Sequence, residues 1–344
     1  MNLQIINPIE YPDWDSVLLR SNDHSFFHTS AWALVLKESY RYKPIYFVLF
    51  EKDQLALLMP FMEVSSLLTG KRGVSLPFTD QCAAYSTKKE FLPEAAYCAI
   101  DYAGKAGWRY IEWRDSEYFP KGVPPSEVYY AHDLDLLKTE QELFSLLRDS
   151  NRRSIKKAIR EGVFIKIDQS LDSVKSFYRL NCLTRKRHGL PPQPFAFFKN
   201  IFDHIISQNL GIVVSASHSE EVVAASVFFH FGTSSIYKYG ASDITRQNLR
   251  PNNLVMWEAI KWYRDRGFKI LSLGRTEPED QGLLQYKRIW GATETPIYYY
   301  RYDLNKKAFL KKRTRSNSFH KRLFGRTPSS ILRLLGRLLY RHVG

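Results

Sequence analysis

The sequence predicts an α+β fold, and three observations lead there. Helical and strand signals follow the same order in both halves of the chain: helix, strands, helix, strand. The strands fall in short runs separated by turn residues, as in "PIYFVLFEKDQLALLMPFMEV" and "GIVVSASHSEEVVAASVFFHFGTSSIYKYGAS". Antiparallel meanders between helices fit that order better than a doubly wound parallel sheet does. Finally, 344 residues at 44% hydrophobic and 15% aromatic supply enough apolar surface for two domains with separate cores. The repeated order admits an internal duplication, although identity between the halves is too weak to establish one.

Taken in order, "TSAWALVLKES" (29–39) has helical spacing, with Thr29 or Ser30 as its cap. Two strands follow, with Asp53 near their turn, and "KRGVSLPFTDQCA" is a strand leading into a loop. "FLPEAAYCAIDYAGKAG" is helical and stops at Gly107; "WRYIEWRD" and "VYYAHDLDL" are strands. "TEQELFSLLRDSNRRSIKKAIREGV" reads as one long amphipathic helical region rich in bases, capped by Gly162, before the strand "FIKID". A helix, a Gly-Pro break at 189–194 and a second helix lead to the three-strand meander. The helix "PNNLVMWEAIKWYRDRG" has Pro251 in its first turn and Gly267 past its end. "KILSLG" is a short strand, and "DQGLLQYKRIWGATETPIYYYRYD" gives a polar loop, a helical turn, a Trp-Gly stop and a closing strand. The boundaries set by this pass are 1–145, 146–305 and a tail at 306–344.

The totals exclude several classes. The longest apolar runs, such as "LALLMPFM", are far too short to span a bilayer. The first residues lack the charged region, apolar core and cleavage site of a signal peptide. Three scattered cysteines without a CxxC pair suit a reducing cytosol and speak against structural zinc. The formal net charge of +15 is informative for its location. From Lys306 to Gly344 there are 12 Lys or Arg and no acidic residue, leaving 38 basic and 35 acidic residues before it. The body is nearly balanced, so the basic pI is no argument for a nucleic-acid fold.

Motifs are as telling by absence. The nine histidines form no HxH or HExxH pattern, so no metal is expected. There is no GxSxG elbow, Walker A loop or GxGxxG, which disfavours serine hydrolases, nucleotide triphosphatases and dinucleotide oxidoreductases. The positive signals gather in the second half. Arg246 and Arg250 precede a helix N-terminus, where free N–H groups and the dipole favour an anion; solvated loop residues are an equal reading. Arg275 emerges at a strand end, a common cleft position.

At this point the residues resemble a family. "LRPNNLVMWEAIKWYRDRGFKILSLGRTEPEDQGLLQYKRIWGA" is similar to the C-terminal half of the FemAB-type aminoacyltransferases and their acetyltransferase-like relatives. The segment G-L-x-x-[FY]-K-x-x-[FW]-G is present as Gly282, Leu283, Tyr286, Lys287, Trp290 and Gly291. "NRRSIKKAIREGV" and "FYRLNCLTRKRHGLPPQPFAFF" are similar to the family's basic helix and the helix and loop after it, and "FFHTSAWALVL" and "SLPFTD" to segments of its first domain. The likeness covers most of 25–303. It implies two tandem GNAT-like (acyl-CoA N-acyltransferase-type) domains with mixed sheets, forming one acyl-transfer cleft, here followed by a basic C-terminal helix.

The activity it implies is transfer of an acyl or aminoacyl group to an amine of a cell-envelope or polysaccharide precursor. No permanently bound cofactor is expected, and the acyl donor is either aminoacyl-tRNA or acyl-CoA. The loop "ITRQNLRPNN" lacks the Q/R-x-x-G-x-G/A turn that holds the pyrophosphate of acetyl-CoA, and the helical insertion of some tRNA-dependent members is missing too. Alternatives are an acetyl-CoA-dependent N-acetyltransferase of an amino sugar and a non-catalytic GNAT-like scaffold. Attack of an amine on an ester or thioester places charge on the carbonyl oxygen, and a preorganised cation or N–H pair there is worth roughly 3–4 kcal/mol. Lys287 matches the family lysine and is the catalytic candidate, for that charge or for the donor's terminal phosphate. Alignment of the substrates supplies much of the remaining rate. Lys37, Arg185, Arg187, Lys238, Arg246, Arg250 and Arg275 are candidates for an anionic acceptor, each weighed against ordinary surface charge. Trp32, Trp257, Trp262 and Tyr286 fall at helical, core-like spacings; Tyr286 is also the motif's aromatic and joins the substrate-binding set.

In the tail, Arg333, Arg337 and Arg341 recur every four residues, and Ile331, Leu334, Leu335, Leu338 and Leu339 occupy the other face. This predicts a basic amphipathic helix, at 328–344, lying on an anionic membrane surface. The alternatives are leucines docked on the body with solvated arginines, and a tRNA-binding tail. The expected location is the cytoplasm, peripheral on the inner face of its membrane.

Overall fold

A computed structural model describes residues 3–21, 24–114, 123–311, 324 and 327–343. Along the chain these form β1 (Gln4–Ile6), α1 (Trp14–Leu19), α2 (Ser30–Tyr40), β2 (Lys43–Glu51), β3 (Gln54–Ser66), β4 (Gly70–Val74), β5 (Tyr85–Ser86), α3 (Phe91–Lys105) and β6 (Tyr110–Arg114). There follow β7 (Glu127–Asp135), α4 (Glu140–Leu146), α5 (Asp149–Arg160), β8 (Phe164–Asp168), α6 (Leu171–Arg187), α7 (Phe195–Ile201), β9 (Gly211–His218), β10 (Glu221–Phe231) and β11 (Ser234–Ser242). The last are α8 (Pro251–Asp265), β12 (Ile270–Ser272), α9 (Gln281–Arg288), β13 (Thr293–Asp303), β14 (Ala308–Phe309) and α10 (Ser329–Leu339). They divide into two compact units, one of 1–130, 296–315 and 339–344, the other of 131–295 and 316–338. The unit borders fall inside β7 and β13 and near 315 and 338; the boundaries read from the sequence are 145 and 305. Most of the basic link of the tail, 312–323, lies outside the described residues.

In the first unit β1, β2, β3 and β4 pair antiparallel in order, β4 pairs parallel with β6, and β6 pairs antiparallel with 299–303 of β13. Lys52 and Asp53 both take positive φ (50° and 61°), the two-residue turn whose twist suits a hairpin. Helix α3 turns Ala95, Ala96, Ala99 and Ala103 inward, and these small faces pack with Phe47, Met59, Phe61, Trp108 and Trp113. Thr29 caps α2 by accepting from Trp32 N. The core also holds a charge: Glu112 is buried between Arg114 (3.0 Å) and Arg301, which donates Nε at 3.0 Å. Burial alone raises that carboxyl; the two guanidinium groups overturn it and hold it at about 2. Four short elements, β1, α1, β5 and β14, carry no clear period and were not legible in the sequence.

The second unit orders β8, β9, β10, β11, β12 and then 131–135 of β7, with one parallel pair, β11 with β12. Alternation along the strands sorts side chains to two faces. Ile212, Val214, Ala216, Ala224 and Phe228 join Ile155 of α5 and Leu254, Val255 and Tyr263 of α8 in one core. On the other face Phe229 and Tyr239 meet Phe177, Phe197 and Phe198 of α6 and α7. The region expected as one long helix is two. Leu147 and Arg148 are extended (ψ 139° and 147°), and Leu147 is buried, so the chain breaks to seat it. Thr139 and Glu142 form a capping box on α4.

Candidate functional site

The second unit's only parallel strand pair among the described residues, β11 with β12, is a short ladder. β12 matches β11 over three positions, Ser234 with Ile270 to Ile236 with Ser272. Beyond them β11 continues through Tyr237–Ser242, while the other chain turns away at Gly274, whose φ of 73° suits glycine. β12 is held from its far side by β7, through the pairs of Asp133–Asp135 and Leu273 N to His132 O at 2.7 Å. Beyond those three positions the ladder between β11 and the segment 273–276 is open.

Lys287 reaches that segment. Asp280 caps α9 by accepting from Leu283 N, and Gly291 at φ 76° ends the turn behind the buried Trp290. The lysine between them is 3% exposed, and its Nζ donates to Gly274 O (2.8 Å) and Arg275 O (3.0 Å). A buried ammonium group needs such acceptors, and this pair fastens α9 to the chain leaving β12. Beside it His132, fully buried, meets Glu294 Oε2 at 3.0 Å through Nε2, and Arg288 grips both carboxylate oxygens at 2.8 Å. Burial first, and the Lys287 charge second, push His132 below its ordinary value. Burial lifts the Asp133 carboxyl, against a Ser272 hydrogen bond and the His132 and Lys287 charges. This group went unnoticed in the sequence, since only the strand alternation of "VYYAHDLDL" turns His132 inward.

The remaining candidates are distributed. The Arg275 carbonyl is on Lys287, and its side chain is half-buried. Tyr286 is half-buried against the core, edge-on to Trp290 at 6.2 Å, and burial raises its hydroxyl. Arg187 lines a 430 Å³ cavity with Lys186, Asp243 and Thr245 at the end of β11. Arg246 lies 3.8 Å from Glu221, and Arg250, in the left-handed region at φ 58°, precedes α8 exposed to solvent. Arg185 donates Nε to Pro191 O at 3.4 Å, and Lys238 lies 5.5 Å from the Tyr239 ring. Lys37 belongs to the other unit, on α2, 3.8 Å from Glu10.

With this geometry in place, comparison with known proteins shows what the chain is similar to. Residues 146–288 match the acetyltransferase (GNAT) domain. FemX has the same fold, with a TM-score of 0.69 and 14% identity over 89% of this chain and 98% of that one. A tandem GNAT protein from the clavulanic acid biosynthesis pathway overlays at 0.53, with 7% identity, over 88% and 98%. The architecture is therefore α+β with two GNAT-like domains and mixed sheets. More particularly, the chain is similar to FemAB-type proteins. A lipid II:glycine glycyltransferase of Staphylococcus haemolyticus is 21% identical over 225 aligned positions, covering 45% of this chain and 53% of the relative. One of Staphylococcus epidermidis matches at 21% over 222 positions, with the same shares. The chain spans about half the length of these curated relatives.

Proposed function

We propose that the protein is an acyltransferase of GNAT/FemAB type that moves an acyl or aminoacyl group onto an amine of a cell-envelope precursor. The observation that carries this reading is the coincidence of a tandem GNAT-like fold with sequence similarity to lipid II:glycine glycyltransferases. The C-terminal domain of a putative lysylphosphatidylglycerol synthetase from Agrobacterium fabrum shares the fold (TM-score 0.54, 13% identity) and supports an aminoacyl donor. A yeast N-myristoyltransferase solved with myristoyl-CoA, at TM-score 0.50, keeps acyl-CoA in view.

In this reading the donor's carbonyl lies in the opening between β11 and 273–276, and the acceptor amine attacks it. Lys287 contributes positive charge beside that carbonyl and holds 274–275 in place, so that N–H groups of the turn are preorganised. Arg275, Arg187, Arg246, Arg250, Arg185 and Lys238 are the second unit's cations for phosphate-bearing substrates, Lys37 is a separate candidate on the first unit, and Tyr286 adjoins Lys287 on the core side. Membrane association through the tail belongs to the same reading. Helix α10 docks on the second unit by Leu332 and by Gly336, where an added Cβ would lie 1.9 Å from Pro192 O. Ile331, Leu334, Leu338, Arg333 and Arg337 stay exposed, so the outward face keeps the apolar and basic pattern of an interfacial helix.

The test is a transfer assay with the purified chain, lipid II, and labelled aminoacyl-tRNA or acetyl-CoA. Label entering lipid II from aminoacyl-tRNA and abolished by ribonuclease is the expected result. Label arriving from acetyl-CoA alone would move the assignment to N-acetylation, and binding of neither donor would sink the enzymatic reading.

A further inference from the structure

The β3–β4 hairpin ends in a tip that the transfer reading leaves unexplained. Leu67 is 101% exposed and its neighbour Leu68 71% exposed. Single exposed apolar side chains are ordinary, but two adjacent leucines presented together on a turn mark a contact surface. The tip is built firmly. Ser66 Oγ accepts from Leu68 N (3.1 Å) and Thr69 N (3.0 Å), and Arg109 Nη1 donates to Thr69 O at 3.3 Å. Gly70 takes φ 77°, and any Cβ there would lie 2.5 Å from the Arg109 side chain.

The chain's last described turn is fastened beside this tip, within the same unit. Arg72, buried, donates Nη1 to Thr69 Oγ1 and Nη2 to His342 O, both at 2.7 Å. Ser66 Oγ is hydrogen-bonded to His342 Nδ1 at 2.8 Å, and Tyr42 Oη donates to Tyr340 O at 3.1 Å. Val343, 62% exposed, and the exposed Arg341 flank His342. Lys71 and Arg109, both exposed, complete a basic rim, and segments 64–72 and 340–343 contain no acidic residue.

We propose that the Leu67–Leu68 tip, with Val343, inserts into the headgroup–acyl boundary of an anionic bilayer while Lys71, Arg109 and Arg341 meet lipid phosphates. A convex pair of leucines is too small for a stable protein interface, which buries over a thousand square ångströms or so, whereas a bilayer receives such a tip and rewards cations around it. The inference rests on the reading that the chain works at a membrane surface, and adds to it a contact independent of α10.

The experiment is flotation of the full chain with phosphatidylcholine vesicles, with and without phosphatidylglycerol. The double variant Leu67→Ser/Leu68→Ser, whose altered side chains touch solvent, should keep the parent's thermal midpoint yet partition about tenfold less onto anionic vesicles. Lys71→Gln/Arg109→Gln should weaken binding to anionic vesicles only. Leu68→Cys carrying an environment-sensitive dye, in a chain with Cys98→Ser and Cys182→Ser, should shift to the blue on those vesicles. Parent-like partitioning of the leucine variant, with no dye shift, overturns the tip while leaving α10 as the membrane contact. A parent chain that ignores anionic vesicles overturns both. Tip-dependent dimers without vesicle binding would make a second copy the occupant and overturn the proposal too. Transfer to a water-soluble precursor analogue should be unchanged in the leucine variant; its loss would assign the leucines to substrate instead.

Discussion

Lys287 shows how a residue's surroundings change the meaning of an experiment on it. Its substitution by Met removes the donor from two carbonyls, Gly274 and Arg275, in a buried place. We expect a stability loss of about 2 kcal/mol or more in chemical denaturation, because buried acceptors are left unpaired. Transfer should fall by about 10²–10³ in kcat if the charge acts on the reacting carbonyl. Lys287→Arg, which keeps a donor, should recover stability before it recovers rate, and equal recovery of both would assign the lysine to positioning alone. Two buried groups are expected to weaken the fold as pH falls. Burial, chiefly, holds His28 down at about 4, so it is neutral when folded, while the unfolded chain takes up a proton near 6.5. Its contribution is complete above pH 6.5 and is lost as pH falls to about 4, costing roughly 3 kcal/mol. Glu112, held at about 2 against 4.5 in the open chain, adds a second loss between those values. Thermal midpoints from pH 7 to pH 4 should decline, and His28→Gln should flatten that limb. Midpoints that stay level in the parent would remove His28 from the account.

Among the elements, α10 has the clearest structural constraint. It closes on the Pro192 backbone at Gly336, where even a methyl group would stand 1.9 Å from the carbonyl oxygen. Gly336→Ala therefore lifts the helix, although alanine favours helix formation in isolation. Cys182, half-buried on α6 and in the electrostatic field of Arg333, gives a readout. It should react with a thiol reagent several-fold faster in the variant, while Cys98 on α3 serves as the internal control; equal Cys182 rates would refute the docked seam. The four-residue recurrence of arginines against a leucine face was plain in the sequence, but that face did not include the residues that dock. The buried contacts are Leu332 and Gly336, and a glycine inside a leucine-rich helix gives no apolar signal of its own.

For the molecule as a whole, the chain's last residues belong to a unit that its first residues begin. Removing 339–344 takes away the carbonyls and imidazole that Tyr42, Ser66 and Arg72 meet in that unit. Arg72 is 2% exposed, so its guanidinium would lose a buried acceptor. We expect the truncated chain to lose about 2 kcal/mol of stability, with a lower calorimetric midpoint. An unchanged midpoint would show that the terminal turn is dispensable to that unit. The charge distribution adds a separate expectation at this scale. With 12 basic residues and no acidic one from Lys306 onward, vesicle binding should weaken steeply with added salt.

What the sequence determined by itself was local or rested on order and spacing. The period of "GIVVSASHSEEVVAASVFFHFGTSSIYKYGAS" gave three strands separated by turns, because burial on two faces and tight turns constrain each position. Pro251 and Gly267 bracketed α8, since proline fits a first turn and a positive φ ends one. The glycine-bracketed Lys287 pointed to GNAT/FemAB likeness through the order and spacing of its segment. What only the tertiary structure decided depended on partners far apart in sequence. It closed Lys287 on two carbonyls, gathered His132, Arg288 and Glu294, and divided the chain inside β7 and β13. It also turned Leu67 and Leu68 outward beside His342. Such contacts leave no period in the sequence, because the residues that make them share a location in space and no common element.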